Sequence, residues 1–182
     1  KRHRPCTNNS YYKLSRTSVV SKIMNHQNPS AYRSCIGIML LNKEGKVFTG
    51  HRIDTSIEAW QMPQGGIDEG EDITRAAFRE LEEETGISEY MVEVISQTQD
   101  WVYYDLPYHL LGKIWGGKYK GQKQIWVLMR FLGEDSNINL KAHAPEFNEW
   151  KWVNPSDLTD MIVPFKKTVY KEVLRVFKNY IL

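Results

Sequence analysis

Residues 65–87 constrain the fold more than any other stretch. They run Gly65-Gly66-Ile67-Asp68-Glu69-Gly70-Glu71-Asp72-Ile73-Thr74-Arg75-Ala76-Ala77-Phe78-Arg79-Glu80-Leu81-Glu82-Glu83-Glu84-Thr85-Gly86-Ile87. Gly65, Gly66 and Gly70 permit backbone turns that a Cβ resists. Glu71 and Asp72 stand where a helix would begin, and acids suit its positive end. Gly86 stands where a left-handed cap would end it. The stretch reads as a glycine loop, one helix and a stop.

On that helix Glu80, Glu83 and Glu84 are spaced i, i+3, i+4 and share a face. Phe78, Leu81 and Thr85 form a neighbouring stripe fit to pack inward, and Glu82 points away as a solvated residue. Like charges so placed cost a bare helix roughly 0.2–0.5 kcal/mol per pair. A cation reverses that sign. The donors are hard oxygens with no His or Cys among them, so the expected ion is Mg²⁺ or Mn²⁺ rather than zinc. An acidic run on a helix is more often a solvated face. The fixed spacing of the whole stretch, Gly65 to Ile87, is what argues against that here.

A chain of 182 residues suits one domain, or one domain with a tail. The 24 basic and 22 acidic residues nearly balance, so net charge says little about partners. Their distribution says more. No acid precedes Glu44, while Lys1, Arg2, Arg4, Lys13, Arg16, Lys22 and Arg33 lie before it. Residues 1–31 lack a sustained apolar period and are expected to form a poorly ordered basic extension of minor functional weight. Their composition also resembles an organellar targeting segment, Met24 is a candidate start, and a basic arm that helps hold RNA is a third reading. Cys6 and Cys35 make no disulfide or zinc framework, which fits a reducing compartment. No stretch approaches the roughly 20 apolar residues of a membrane span, so no membrane partner is expected.

Along the rest of the chain, Cys35–Leu41 reads as a buried strand, and Lys46–Gly50 completes a hairpin through the turn Asn42–Gly45. Met91–Gln99 reads as another strand. Gly112–Gln124 carries four glycines among Lys113, Lys118, Lys120 and Lys123 and reads as a flexible basic loop, either a solvated tip or a phosphate holder. Ile125–Leu132 and Glu149–Val153 read as strands. Pro164 opens a last helix, with Val169, Val173, Val176, Phe177 and Tyr180 on its packed face. No internal repeat or second domain is visible.

The stretch from Gly65 through Glu71, Arg79-Glu80-Leu81 and Glu83-Glu84 to Gly86-Ile87 resembles the Nudix box at every defined position. Trp60-Gln61-Met62-Pro63-Gln64-Gly65-Gly66-Ile67 narrows this to the bacterial RNA pyrophosphohydrolase and dinucleoside polyphosphate hydrolase subfamily. Trp101–Pro107, Gly121–Trp126, Pro145-Glu146-Phe147 with Trp150–Val153, and Phe165-Lys166 carry the same resemblance. It runs from about Tyr32 to the C-terminus, which implies a Nudix domain over residues 32–182. It implies an α/β fold, the Nudix α/β/α sandwich with a mixed β-sheet and a loop-helix-loop metal-binding motif.

By matching position, Glu80, Glu83 and Glu84 resemble the metal ligands of the box, joined by Gly65 and by Glu146 from a distant loop. Arg79 resembles the arginine that orients the glutamates, and Glu83 the general base, with Glu80 or Glu146 as alternatives. Arg33 and Lys123 are expected on phosphates. Arg52 and Phe165 match a pair that holds the first base, and Tyr104 either stacks a base or packs. The residue after Arg33 is Ser34, where a bacterial relative has proline, and the segment between Arg52 and Trp60 is slightly longer than in that relative.

The activity implied is hydrolysis of 5′-triphosphate RNA ends to monophosphate ends, initiating RNA decay, with Mg²⁺ or Mn²⁺ as cofactor. The partner is then RNA or a dinucleoside polyphosphate, with no DNA expected, in a bacterial-type cytoplasm unless the extension targets an organelle. Rival readings are a diadenosine tetraphosphate hydrolase, a sanitiser of free nucleoside triphosphates, and a non-catalytic RNA-binding module on the same scaffold.

Overall fold

A computed structural model describes residues 31–53 and 59–181. The expectations for the N-terminal extension therefore lie outside the described residues, except that the first strand already begins at Ala31. The lengthened segment before Trp60 lies mostly outside them as well.

The centre of the molecule is a parallel ladder between β1 (Ala31–Leu41) and β7 (Tyr119–Phe131), paired from Ala31↔Tyr119 to Leu41↔Arg130. Both strands are continuous apolar runs where they cross the core, the pattern of strands covered on both faces. Ile36, Ile38 and Leu40 of β1 are buried on one face; Cys35, Met39 and Leu41 alternate onto the other. Antiparallel partners make the sheet mixed. β2 (Val47–Arg52) meets β1 at the Leu41↔Val47 turn and pairs with β8 (Phe147–Val153) and β3 (Trp60–Gln61). β4 (Gln64–Gly66) pairs with the start of β1, while β5 (Val92–Gln97) and β6 (Val102–Asp105) share the free side of β7.

One face is covered by α1 (Ile73–Thr85), which buries Ala76, Ala77 and Leu81 against Ile36, Ile38, Leu40, Val127 and Met129. The other is covered by α2 (Leu158–Met161) and α3 (Lys167–Phe177), which close over Met39, Trp126 and Leu128. This is the expected α/β/α sandwich. Asp72 caps α1 by accepting from the backbone of Thr74 (2.9 Å) and Arg75 (3.1 Å). Gly86 ends it at φ 72°, in the left-handed region.

Two expectations are corrected. Gly112–Gln124 is not a loop throughout: β7 starts at Tyr119, so Lys120 and Lys123 are strand residues. The glycine at 121 marks close backbone approach, since a Cβ there would lie 2.0 Å from the Tyr104 carbonyl oxygen of β6. The packed face of α3 is Val169, Tyr170, Val173 and Phe177, while Tyr180 is 48% exposed. Tyr170 was missed because its hydroxyl suggests a surface. It is fully buried, and that hydroxyl accepts a hydrogen bond from the Met62 backbone N–H at 2.9 Å.

Gly37 stands opposite Trp126 in the central ladder, and an added Cβ would fall 2.5 Å from that fully buried indole. Gly37→Ala is expected to destabilise the fold by about 1–3 kcal/mol through overpacking, read from urea denaturation midpoints.

Candidate active site

The site forms where β4 delivers the glycine loop to α1. Pairing of Cys35 with Gly66 and Ile36 with Gly65 lays the loop along β1. The side chain of Glu80 lies directly over Gly65; a Cβ at that glycine would sit 1.8 Å from Glu80 Oε2. At Gly66 a Cβ would meet Arg33 Nη2 at 2.7 Å. The two glycines are thus required by what packs on them, a carboxylate and a guanidinium, as well as by their turn.

Arg79 fixes the arrangement. Its Nε and Nη2 donate to the two oxygens of Glu71 at 2.8 and 2.7 Å, a bidentate fork. Nη2 also donates to the Gly66 carbonyl (2.8 Å), Nη1 donates to Glu80 (2.7 Å), and Glu83 lies 3.6 Å away. The Arg79 hydrogen bond drives the Glu71 carboxyl down from 4.5 to about 2. Glu71 was read only as a helix-start acid. Its real partner is eight residues away, a contact made when the loop folds back on the helix.

The three helix carboxylates differ in environment. Glu84 is 2% exposed, accepts from the Gln64 backbone N–H at 3.1 Å through Oε2, and leaves Oε1 buried with no hydrogen-bond partner among the described residues. Burial pushes its carboxyl well above the ordinary range, and the charge of Glu146 pushes it further. Burial likewise raises Glu80, against the pull of Arg79. Glu83 keeps a half-exposed side chain. Glu146, just before β8, adds its charge to those of Glu80 and Glu84, next to the register shift between His51 and Arg52 that bulges β2 against β8. Arg52 Nη1 donates to Glu146 at 3.3 Å. Among the described residues no three acids, imidazoles or thiols are drawn into a closed ion cage. Arg79 stands among the glutamates instead.

The remaining predicted residues gather around this centre less uniformly. Arg33 lies over the Trp115 ring (5.8 Å), and Lys123 over Trp101 (4.5 Å). Phe165 packs on Tyr104 with centroids 5.7 Å apart, and Arg52 donates to Glu146. Tyr104 is 6% exposed, so its ring packs rather than offering an open stacking face. Burial pushes its phenol well up, and the charges of Arg33 and Arg52 pull it back only in part.

Residues 31–173 match the NUDIX domain family. The chain belongs to the Nudix family. Across 146 residues it is 55% identical to an RNA pyrophosphohydrolase of Sphingopyxis alaskensis, a match covering 80% of this chain and 92% of that one. Across 150 residues it is 52% identical to an RNA pyrophosphohydrolase of Dinoroseobacter shibae, covering 82% and 94%. Among solved structures, an E. coli dihydroneopterin triphosphate pyrophosphohydrolase superposes with TM-score 0.62 at 20% identity, covering 79% of this chain and 97% of that one. A C. elegans Ap4A hydrolase superposes with TM-score 0.58 at 18% identity, covering 81% and 98%. These structural likenesses speak for the Nudix fold.

Beside the Nudix box lies a buried polar network that sequence reasoning missed. Lys166, 8% exposed, donates to Gln61 (3.4 Å) and Gln64 (3.1 Å), and Gln124 donates to Gln64 (3.3 Å) and Gln122 (2.8 Å). Gln64 therefore joins the network through its side chain and Glu84 through its backbone. A lysine next to a proline–phenylalanine pair carries no sequence signal of burial. Its hydrogen bonds exist only once the last helix covers the sheet.

Breaking the Arg79 fork has a defined pH signature. Because the folded carboxyl of Glu71 is depressed, this contact stabilises fully above pH 4.5, and its contribution is lost as pH falls toward about 2. In Arg79→Ala, Glu71 is expected to titrate near 4.5 by NMR, and the variant has no such acid-side contribution to lose.

Proposed function

We propose that this Nudix hydrolase is an RNA 5′ pyrophosphohydrolase, converting 5′-triphosphate RNA to 5′-monophosphate RNA with release of pyrophosphate or successive phosphates. The observation that carries a phosphoanhydride chemistry is Glu84: a buried carboxylate with one unpartnered oxygen, set beside buried Glu80 and within the field of Glu146. Buried like charges are costly unless a cation joins them. The donor set is all oxygen, which fits Mg²⁺, with Mn²⁺ as a substitute. The RNA preference is supported by the 52–55% identity to bacterial proteins named RNA pyrophosphohydrolase.

Glu80, Glu83, Glu84, Glu146 and the Gly65 backbone would hold the ion, Glu83 from the half-exposed rim. When bound, the ion supplies neutralisation of phosphate charge and acidification of water. Arg79 keeps Glu80 oriented by anchoring on Glu71 and Gly66. Glu83 takes the proton from the attacking water: it is half-exposed, whereas Glu84 and Glu80 are already engaged by Gln64 and Arg79. Arg33 and Lys123 hold the departing phosphates. Arg52 and Phe165 flank the first base, with Tyr104 as the wall behind Phe165. No covalent intermediate is needed. The chain works by positioning and electrostatics.

A dinucleoside polyphosphate hydrolase is the second reading, because such a substrate presents the same phosphates and a base. Among the described residues no helix is long and apolar enough to cross a membrane, and 1–31 remains proposed as an extension to a domain of 32–182.

Glu83→Gln is expected to lower kcat by about 10²–10⁴-fold on 5′-triphosphate RNA while leaving RNA binding intact, measured by single-turnover hydrolysis and fluorescence anisotropy. Retained turnover would remove Glu83 as base. A competition among triphosphate RNA, diadenosine tetraphosphate and a nucleoside triphosphate decides the substrate; preference for either small molecule would overturn the RNA reading. Mg²⁺ is expected to raise the melting temperature of the wild type, and Glu84→Gln to abolish that shift. An unchanged shift would place the cation elsewhere.

A further inference from the structure

The β6 edge of the sheet carries a second constellation, where β6 meets the N-terminal ends of β1 and β7. Tyr32 pairs with Gly121, and Tyr103 with Lys123. The rings of Tyr32 and Tyr103 meet edge to face at 5.0 Å and 74°, and Tyr103 is 50% exposed. Lys120 Nζ lies 4.3 Å from the centre of the Tyr32 ring, and Lys123 Nζ 4.5 Å from that of Trp101. The acid among them, Asp105, accepts the Tyr32 hydroxyl at 2.7 Å. The chain that leads into this end of β7 is acid-free from Leu106 to Gln124 while carrying Lys113, Lys118, Lys120 and Lys123.

The face is continuous with the site in two directions. Lys123 stands opposite Ser34, whose carbonyl accepts from Ile67 of the glycine loop at 3.2 Å. Tyr32 lies three residues along β1 from Cys35, the partner of Gly66, which is about 10 Å at the usual rise of a strand. On β6, consecutive residues face opposite ways: Tyr104 is buried against Phe165, and Tyr103 is exposed beside Tyr32. A strand leaving the base pocket needs only to cross the β6 edge to reach Tyr103.

We propose that Tyr32, Tyr103 and Lys120, continuing outward from Lys123 at the phosphates, form a track for the single-stranded RNA that follows the 5′ end, an inference resting on the RNA reading above. Rings interleaved with lysines are the recognition chemistry of single strands, because every base has a π-face and every nucleotide a phosphate. Lys120 exchanges the Tyr32 ring for a phosphate as RNA arrives, and the ring face it leaves takes up a base. A merely structural edge, in which the lysines only cover the rings, makes no distinction between short and long substrates.

The test compares two substrates, a 5′-triphosphate dinucleotide and a 5′-triphosphate RNA of roughly 16 nucleotides, the upper site size of single-strand grooves. Tyr103→Ala and Lys120→Ala are expected to raise KM for the long RNA about 5- to 10-fold, with kcat and the dinucleotide KM unchanged. Tyr103→Phe should behave as wild type. Lys120→Ala should also flatten the salt dependence of long-RNA binding, with the log–log slope smaller by about 0.7. Equal effects on both substrates, or none on either, overturn the track. A wild type inactive on both RNAs defeats the RNA reading itself. The track is then decided by anisotropy with a 5′-hydroxyl RNA of the same length: weaker binding by Tyr103→Ala sustains it, and equal binding overturns it.

Discussion

The site depends on one guanidinium. Arg79 holds Glu71, Gly66 and Glu80 together, so the loop before the helix and the carboxylate on the helix cannot move independently. An exposed ion pair contributes little. This one is partly buried, bidentate and shared with a backbone carbonyl, which makes it a geometric constraint more than a stabilising contact. It also sets the order of the glutamates. Glu80 is engaged by the arginine, Glu84 is sealed beneath Gln64, and Glu83 is left facing water.

The sheet extends this constraint across the molecule. β1 carries the loop on one side and pairs with β7 on the other, so the distance from Gly66 to Lys123 is fixed by backbone hydrogen bonds. The buried glutamines and Lys166 link the last helical segment to Gln64, whose backbone in turn holds Glu84. A base bound near Phe165 and a phosphate bound near Glu84 would thus be registered by one hydrogen-bonded layer. Such a network is stable only when nearly every member is satisfied. The Nε2 of Gln61, buried with no hydrogen-bond partner among the described residues, is its exception.

Much of the fold was legible because periodicity and glycine placement reflect local physics. The helix from Ile73 to Thr85, its Asp72 cap and its Gly86 stop follow from residues within a few positions of each other. Cys35–Leu41 read as buried because a parallel central strand is apolar on both faces. Gly112–Gln124 misled because glycine and lysine suggest a loop, whereas Tyr119–Gln124 is held as strand by partners on β1 and β6. The face of the last helix was misjudged by one position, since Tyr170 hides a hydroxyl that finds its partner on Met62.

By itself the sequence determined that a glycine loop would feed a helix with three acids on one face, and its resemblance to the Nudix box implied a mixed α/β domain around it. Spacing along a helix is a local property and is written in the order of residues. Tertiary structure alone decided that Glu84 is buried and Glu83 open, that Glu71 belongs to Arg79, that Glu146 comes beside Arg52, and that Tyr103 and Tyr104 part to opposite faces. Each of those depends on which chain segment lies across the sheet, and burial and charge act through space rather than along the sequence.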